Sequence, residues 1–561
     1  MKRRILTLLL ITFTVLFYTH GAFGNFFQQD EWGGFGKIIA LSQRPFWEWL
    51  VVPGKVHFAP LGHLTWFFLY KLFGFQAQYY VFMQLSLHIA TSFLVYVFVN
   101  KLTRSWGVGI LAALFFATNT HANQAFIHLA TFPTIIVTLF IVLFFAYSTY
   151  ARDYKYFSRK DLLISLVIFF ASVFFKEDGL IIPPLFLIYL FLFDRQKFNK
   201  KNLWFFLTFF GAIVFFGLFR LLSQFANPSA LVGSGSNFLH AYIYNAFTLP
   251  VKFIVQNIVE GGNLFLFLWK HNGFIYENDA VNFLNSYPLF MDFIFLIILN
   301  LLVVAIIYLK HNFIKIKEIK KYIYFAISLI ILDALLVSAV GRQMYILESR
   351  YLYLSGIAVF MILSFILVKT YQSKIENSIL EFIKKTAILI IMLVILVTSY
   401  VGIQSTIKEI VFYGNARKEI LKSLLVLHPT IPKDTIFYVK CKTECYRNGE
   451  FNVSDKFVLP FTLGSGWVIL TQYAQGNEDV YARFFSEKVG DNRPFLGDIG
   501  SQGYKKFGDY GFGYFYDINF LKQVIEKQNL STEIVIGLEY NEENFTINDI
   551  TPEIRDELNK K

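Results

Sequence analysis

Residues 1–34 read MKRRILTLLLITFTVLFYTHGAFGNFFQQDEWGG, and the order of their chemistry decides what kind of molecule this is. Three cations, Lys2, Arg3 and Arg4, precede an apolar run over residues 5–23. Such a run with a basic start reads as a first membrane span whose N-terminus stays in the cytoplasm, because Lys and Arg hold a short flanking segment inside. No small-residue cleavage site follows, so the run is expected to stay as a span rather than leave as a signal peptide. Just beyond it stand two adjacent carboxylates, Asp30 and Glu31. Ionisable groups at the rim of a bilayer are costly to place and therefore point to function.

The rest of the chain extends this pattern. Of 561 residues, 55% are hydrophobic and 19% aromatic, and they gather into more long apolar runs than a water-soluble chain carries. At about 20 residues per crossing, roughly eleven spans are expected. They begin near Ile5, Tyr79, Val108, Phe132, Leu162, Gly179, Leu203, Leu289, Tyr322, Tyr351 and Thr386. Pro183 and Pro184 are expected to kink the sixth. The net charge of +12 does not point to nucleic acid, since no basic face of a soluble fold is visible. Lys and Arg fall instead in alternate short loops, around residues 101–104, 152–160, 195–201, 310–321 and 369–385. This alternation places the C-terminal region outside the cytoplasm. Abundant Phe, Ile, Lys and Asn suggest a prokaryotic plasma membrane.

The expected fold class is therefore a polytopic α-helical membrane protein with a soluble mixed α/β domain outside the membrane. Residues 1–404 form the body. Its outer loop, residues 24–76, holds Trp-rich segments at 46–50 and 64–70 that read as helices lying in the interface. A long outer loop at 223–288 contains an apolar stretch, 238–269, of re-entrant or interfacial character. Residues 405–561 form the accessory domain, with strand-like runs at 435–439, 467–470 and 533–538 and a helix at 520–527. Cys441 and Cys445 have no matching second pair, so a zinc site is poorly supported; a disulfide and two free thiols both remain open.

Chemistry-bearing residues collect on the outer side: Asp30, Glu31, His57 and His63; Lys176, Glu177 and Asp178; Arg220; and Arg342, Glu348 and Arg350. A carboxylate at a water–lipid boundary suits a general base for an acceptor hydroxyl, because partial desolvation raises its pKa toward working pH. Lys and Arg nearby suit a phosphate that departs as an anion. His88 and Asp333 are the main ionisable groups within spans, too few for the relay that a transporter would need.

On these residues the chain resembles a GT-C fold glycosyltransferase of the protein O-mannosyltransferase-like group. Asp30-Glu31 matches the acidic motif of the first outer loop. His57-Phe58-Ala59-Pro60-Leu61 with Leu72-Phe73-Gly74 resembles its R-P-L … L-F-G run. Phe175-Lys176-Glu177 with Pro183 resembles S-K-E … P, and Glu348-Ser349-Arg350-Tyr351-Leu352-Tyr353 resembles E-R-x-L-Y. The motifs appear in the expected order over roughly residues 1–370. The resemblance implies a polyprenyl-phosphate-sugar donor, a protein, lipid or glycan acceptor, and inverting transfer on the extracytoplasmic face. Asp30 would be the catalytic base and Glu31 its partner, with any divalent metal falling to the same pair. Lys176 and Arg350 would contact the donor phosphate, and His57, Glu177 and Glu348 would contact substrate. The chain departs from the family where its second outer loop has Asn119-Thr120 and Gln124 in place of His-Pro and Glu, and where Ser349 is inserted. The alternatives are a polysaccharide polymerase or ligase of the cell envelope, in which residues 223–288 would carry the chemistry, and a lipid or polysaccharide transporter.

Overall fold

The computed structural model of the chain describes residues 2–27, 31, 35, 59–151, 156–225, 238–259, 290, 292–300, 303–304, 316–339, 344, 347–429, 431–441, 446–447, 450–451, 488–489, 493–494, 502–507, 510–541 and 546–560. These residues divide into one unit built mainly from Phe82–Thr406 with the first helix, and a second built mainly from Ile407–Lys561.

The helices run in order α1 Lys2–Tyr18, α2 Pro60–Phe73, α3 Ala77–Thr103, α4 Trp106–Ala117, α5 Gln124–Ile127, α6 Phe132–Ala151, α7 Arg159–Phe175, α8 Ile182–Phe193, α9 Leu203–Phe225, α10 Phe238–Gln256, α11 Ile316–Ser338, α12 Leu352–Gln372 and α13 Ser378–Leu427. Ten of the eleven expected spans fall on them. The eighth, around 289–309, lies only partly within the described residues, where 292–300 is helical. Among the described residues, six stretches are long and apolar enough to cross a membrane by length and composition. The apolar window of α12 is 83% buried, which puts this helix at the centre of its unit, whereas that of α13 is 17% buried and turns an apolar surface outward. An all-round apolar helix at the centre and an apolar outer face elsewhere are what a bundle solvated by lipid requires. The structure thus has the many-helix body and the separate mixed α/β domain that the sequence pattern called for.

One expectation is corrected. Pro183 and Pro184 do not kink a span; they occupy the first turn of α8. There the amide hydrogens have no helical partner to lose, so proline starts the helix instead of bending it. The Pro60 … Gly74 stretch shows the same grammar. Pro60 opens α2, and Gly74, in the left-handed region at φ +52°, closes it by donating its amide to the Tyr70 carbonyl at 2.8 Å. At 14 residues α2 is too short to cross a bilayer. In the same unit Phe35 makes edge-to-face contacts with Phe27, Trp66 and Phe75 at 4.9, 5.3 and 5.1 Å between centroids. Helix α13 continues for 50 residues and stops two residues before Pro429, since the residues leading into a proline are pushed out of helical geometry.

In the second unit, a five-stranded sheet has the order β6-β7-β1-β8-β9. Its strands are β1 Asp434–Cys441, β6 Gly503–Phe507, β7 Tyr510–Phe515, β8 Val535–Asn541 and β9 Thr546–Asp549; two-residue ladders pair β2 with β3 and β4 with β5 (Tyr446–Arg447, Glu450–Phe451, Lys488–Val489, Arg493–Pro494). Strand β1 is central and parallel to both β7 and β8. Helix α14, Ile518–Gln528, provides the crossover between them, and α15, Thr551–Asn559, follows β9. Asp517 caps α14 by accepting from the Asn519 and Phe520 amides at 2.8 and 3.2 Å. Ile436, Phe515, Leu521, Val535 and Ile554 close the core beneath the sheet. Three of the four secondary-structure readings made for this region therefore hold, at 435–439, 520–527 and 533–538. The fourth, 467–470, lies outside the described residues, as does Cys445.

Candidate active site

The helical unit gathers three connecting segments at one end: residues 118–128 between α4 and α6, the 3₁₀ turn Glu177–Ile181 between α7 and α8, and the segment that leads through the 3₁₀ turn Ser349–Tyr351 into α12. Each is held by a different device.

The first device is a polar stripe on α10. Asn245, Lys252 and Gln256 recur at i, i+7 and i+11 on an otherwise apolar helix, which puts them on one face. Asn245 Oδ1 accepts from the Met344 amide at 3.0 Å, and Gln256 Oε1 accepts from the Leu347 amide at 3.1 Å. Lys252 is fully buried and donates to the Met344 carbonyl at 2.6 Å. Its charge is met by Asp292 at 2.7 Å, and the Tyr244 hydroxyl donates to the same carboxylate at 2.5 Å. A buried ammonium is tolerated only with such compensation. The stripe fixes the backbone at Met344 and at Leu347, directly before Glu348 and Arg350.

The second device explains the inserted serine. Ser349 donates to the His121 carbonyl at 2.5 Å, with Asn123 Oδ1 3.2 Å away. Gln124 Oε1 accepts from the Arg350 amide at 3.3 Å. Asn119 donates to Asn257 at 2.8 Å, and Asn257 donates to Ser355 at 3.1 Å. The positions at which the chain departs from the pattern of the family it resembles are thus ones that tie residues 118–128 to the segment entering α12. Burial pushes the His121 imidazole down to about 4, against a hydrogen bond to the Ile258 backbone that pulls the other way.

The third device is charge. Lys176, 12% exposed, pairs with Asp178 at 2.8 Å and lies 3.4 Å from Thr134 Oγ1. Burial alone would lower this ammonium; Asp178, with Glu177 and Tyr351 in electrostatic reach, outweighs it and holds the pKa above the ordinary lysine value. Asp333, buried in α11, bonds the Ser355 amide and faces Lys176 and Asp178. The turn itself needs Gly179, because a Cβ there would lie 2.8 Å from the Ser172 carbonyl carbon.

The sequence-predicted residues therefore fall into three groups. Lys176, Glu177, Glu348 and Arg350 are brought to the same end of one unit, with Tyr351 linking the two motifs: its side chain is in electrostatic reach of Lys176 and its ring lies 5.3 Å from the Arg350 guanidinium. Arg350 pairs with Glu348 at 2.5 Å, and both are about a third exposed, so of the two expected phosphate contacts Arg350 is the more accessible. Glu31 belongs to the other unit and is 1% exposed. Asp30, His57 and Arg342 lie outside the described residues, as does the Arg220 side chain. Among the described residues, no three His, Cys, Asp or Glu side chains come together as a metal site. Sequence reasoning missed Asn245, Lys252, Gln256, Asn257 and Asp292; the signal available was the polar stripe on an apolar helix. His88 is packing, not relay: it bonds Tyr353 at 2.8 Å and the Ala117 carbonyl at 3.0 Å and stacks on Phe126.

Fold and site together define a polytopic α-helical membrane protein with an ordered polar cluster at one end of its bundle. Neither a protein-family model nor a curated protein matches the chain. Solved structures do. The crystal structure of ArnT from Cupriavidus metallidurans bound to undecaprenyl phosphate is 10% identical, with a TM-score of 0.41 over 78% of this chain and 82% of that one. The archaeal oligosaccharyltransferase AglB from Archaeoglobus fulgidus, in complex with an inhibitory peptide and a dolichol-phosphate, is 12% identical, with a TM-score of 0.45 over 96% of this chain and 69% of that one.

Proposed function

We propose that this chain is a membrane-embedded glycosyltransferase that moves a sugar from a polyprenyl-phosphate-linked donor to a protein, lipid or glycan acceptor on the extracytoplasmic face, with inversion at the anomeric carbon. The observation that carries the reading is the meeting of two motif segments far apart in sequence, Lys176-Glu177 and Glu348-Ser349-Arg350-Tyr351, in one polar cluster. A cluster that joins cations to a fixed hydrogen-bonded frame is what a departing phosphate needs: preorganised positive charge that does not have to reorient as charge develops.

In this reading Asp30 takes the proton of the acceptor hydroxyl as that oxygen bonds the anomeric carbon. The bond from this carbon to the phosphate oxygen breaks on the opposite face, and polyprenyl phosphate leaves with the electron pair. Arg350 meets the phosphate as a planar donor, and Lys176 adds charge from behind, where Asp178 keeps it protonated. Glu31 orients Asp30, and His57, Glu177 and Glu348 bind sugar or acceptor hydroxyls.

The test is sugar transfer by the purified full chain from a radiolabelled polyprenyl-phosphate-sugar pool. The native chain is expected to transfer, D30N to lose about 10²–10⁴-fold, and R350A about 10²–10³-fold. Normal transfer by D30N moves the base elsewhere and favours the polymerase or ligase reading. No transfer by the native chain from any pool overturns the enzyme class.

A further inference from the structure

The end of the helical unit opposite the Lys176 cluster carries a groove that the transfer reaction does not use. It lies between α8 and α11, has a volume of about 580 Å³, and is lined by Leu187, Ile188, Phe191, Phe198, Tyr324 and Ser328. Phe191 and Tyr324 are each 54% exposed and Phe198 is 48% exposed, so the groove opens on the lipid-facing side. An apolar groove on a span is filled by any acyl chain. What sets this one apart is the charge at its mouth. Arg195 lies between Phe191 and Phe198 in sequence; it donates from Nε to the Phe191 carbonyl at 2.7 Å and lays its guanidinium 4.0 Å from the Phe191 ring centroid. That single bond and stack hold the guanidinium at the rim, and its terminal nitrogens have no partner among the described residues. Lys320 and Lys321 enter α11 one turn before Tyr324, and Lys200 follows Phe198 by two residues; Lys320 and Lys200 are exposed. The acid nearest in sequence, Asp194, is buried and in electrostatic reach of Lys197, so it does not neutralise the mouth.

We infer that this groove is a binding site for an anionic glycerophospholipid, with one acyl chain along Leu187, Ile188 and Tyr324 and the headgroup phosphate on Arg195 and Lys321. Basic pockets between spans at the Lys/Arg-rich end are where anionic headgroups dock, and arginine offers phosphate a planar pair of donors. Snorkelling lysines add charge without fixing geometry, whereas the anchored Arg195 fixes it.

The experiment is native mass spectrometry of the delipidated full chain in detergent, with phosphatidylglycerol or phosphatidylcholine added back. The native chain is expected to retain one phosphatidylglycerol in clear preference to phosphatidylcholine. Removing a cation at the mouth is worth about fivefold, so R195Q/K321Q should bring the two lipids to within a few-fold of each other. S328W, which fills the groove without touching charge, should lose the bound lipid whichever headgroup it carries; elution as a single species by size exclusion shows that each variant is folded. Equal retention of the two lipids by the native chain overturns the proposal, as does a preference that survives R195Q/K321Q or a lipid that survives S328W. Mole-for-mole displacement of phosphatidylglycerol by polyprenyl phosphate also overturns it, by assigning the groove to the donor.

Discussion

Where α7 ends and α12 begins, Lys176, Lys252 and Arg350 each face a carboxylate, at 2.8, 2.7 and 2.5 Å. At the other end of the same unit, Arg195 lies on a phenylalanine ring, and Lys320 and Lys200 face outward. Residues of one type thus do two kinds of work within one unit. The buried pairs of Lys176 and Lys252 give connecting segments a single geometry, because leaving either member alone in a low-dielectric site is expensive, while the pair of Arg350 stays partly exposed. Exposed cations at the other end contribute little to folding; they orient the chain in the bilayer and leave charge available to lipid phosphates.

This contrast can be broken at several points. The largest effect should come from K252M, which leaves Asp292 uncompensated and frees Met344. We expect about 3–5 kcal/mol of lost stability in a denaturant titration, with K252M/D292N recovering part of it. A smaller effect concerns His121. Its folded pKa of about 4 lies below the ordinary value of 6.5, so between these values the unfolded chain binds more protons. The contribution of His121 to stability should be flat above pH 7 and fall by roughly 2–3 kcal/mol as pH drops from 6.5 to 4. Thermal midpoints of the native chain and H121Q across that range check it, because H121Q should lack this component. Smaller again, S349A removes the bond to the His121 carbonyl and should cost about 1 kcal/mol, with transfer reduced through a misplaced Arg350. At the opposite end K320Q should change stability by no more than about 0.5 kcal/mol. A loss comparable to that of K252M would mean the two ends are not built differently.

How much of this was legible varies by residue. The motif Pro60-Leu61 … Leu72-Phe73-Gly74 could be read as one helix from its first and last letters, since proline starts and glycine ends a helix by local sterics. Pro183 and Pro184 show the limit of that reading: a proline pair both starts and breaks helices, and only the position of the preceding Lys176–Ile181 segment decides which. In the sequence, Ser349 is only an insertion that departs from a motif. In the structure it is a tie to residue 121, and nothing within a few residues of either position signals it.

What the sequence determined by itself is the membrane-spanning helical body, its alternating basic loops and the mixed α/β character of the C-terminal part of the chain; the helix that carries on through residue 405 to Leu427 was not legible in it. These follow from composition over windows of about twenty residues, because lipid rewards long apolar runs whatever lies around them. The tertiary structure alone decided which polar side chains meet: Lys252 with Asp292 and Met344, Ser349 with His121, Lys176 with Asp178 and Tyr351. The reason is physical. In the apolar interior of the bundle a polar group must find a partner or destabilise the fold, but the partner need only be near in space, and packing of distant helices sets that distance.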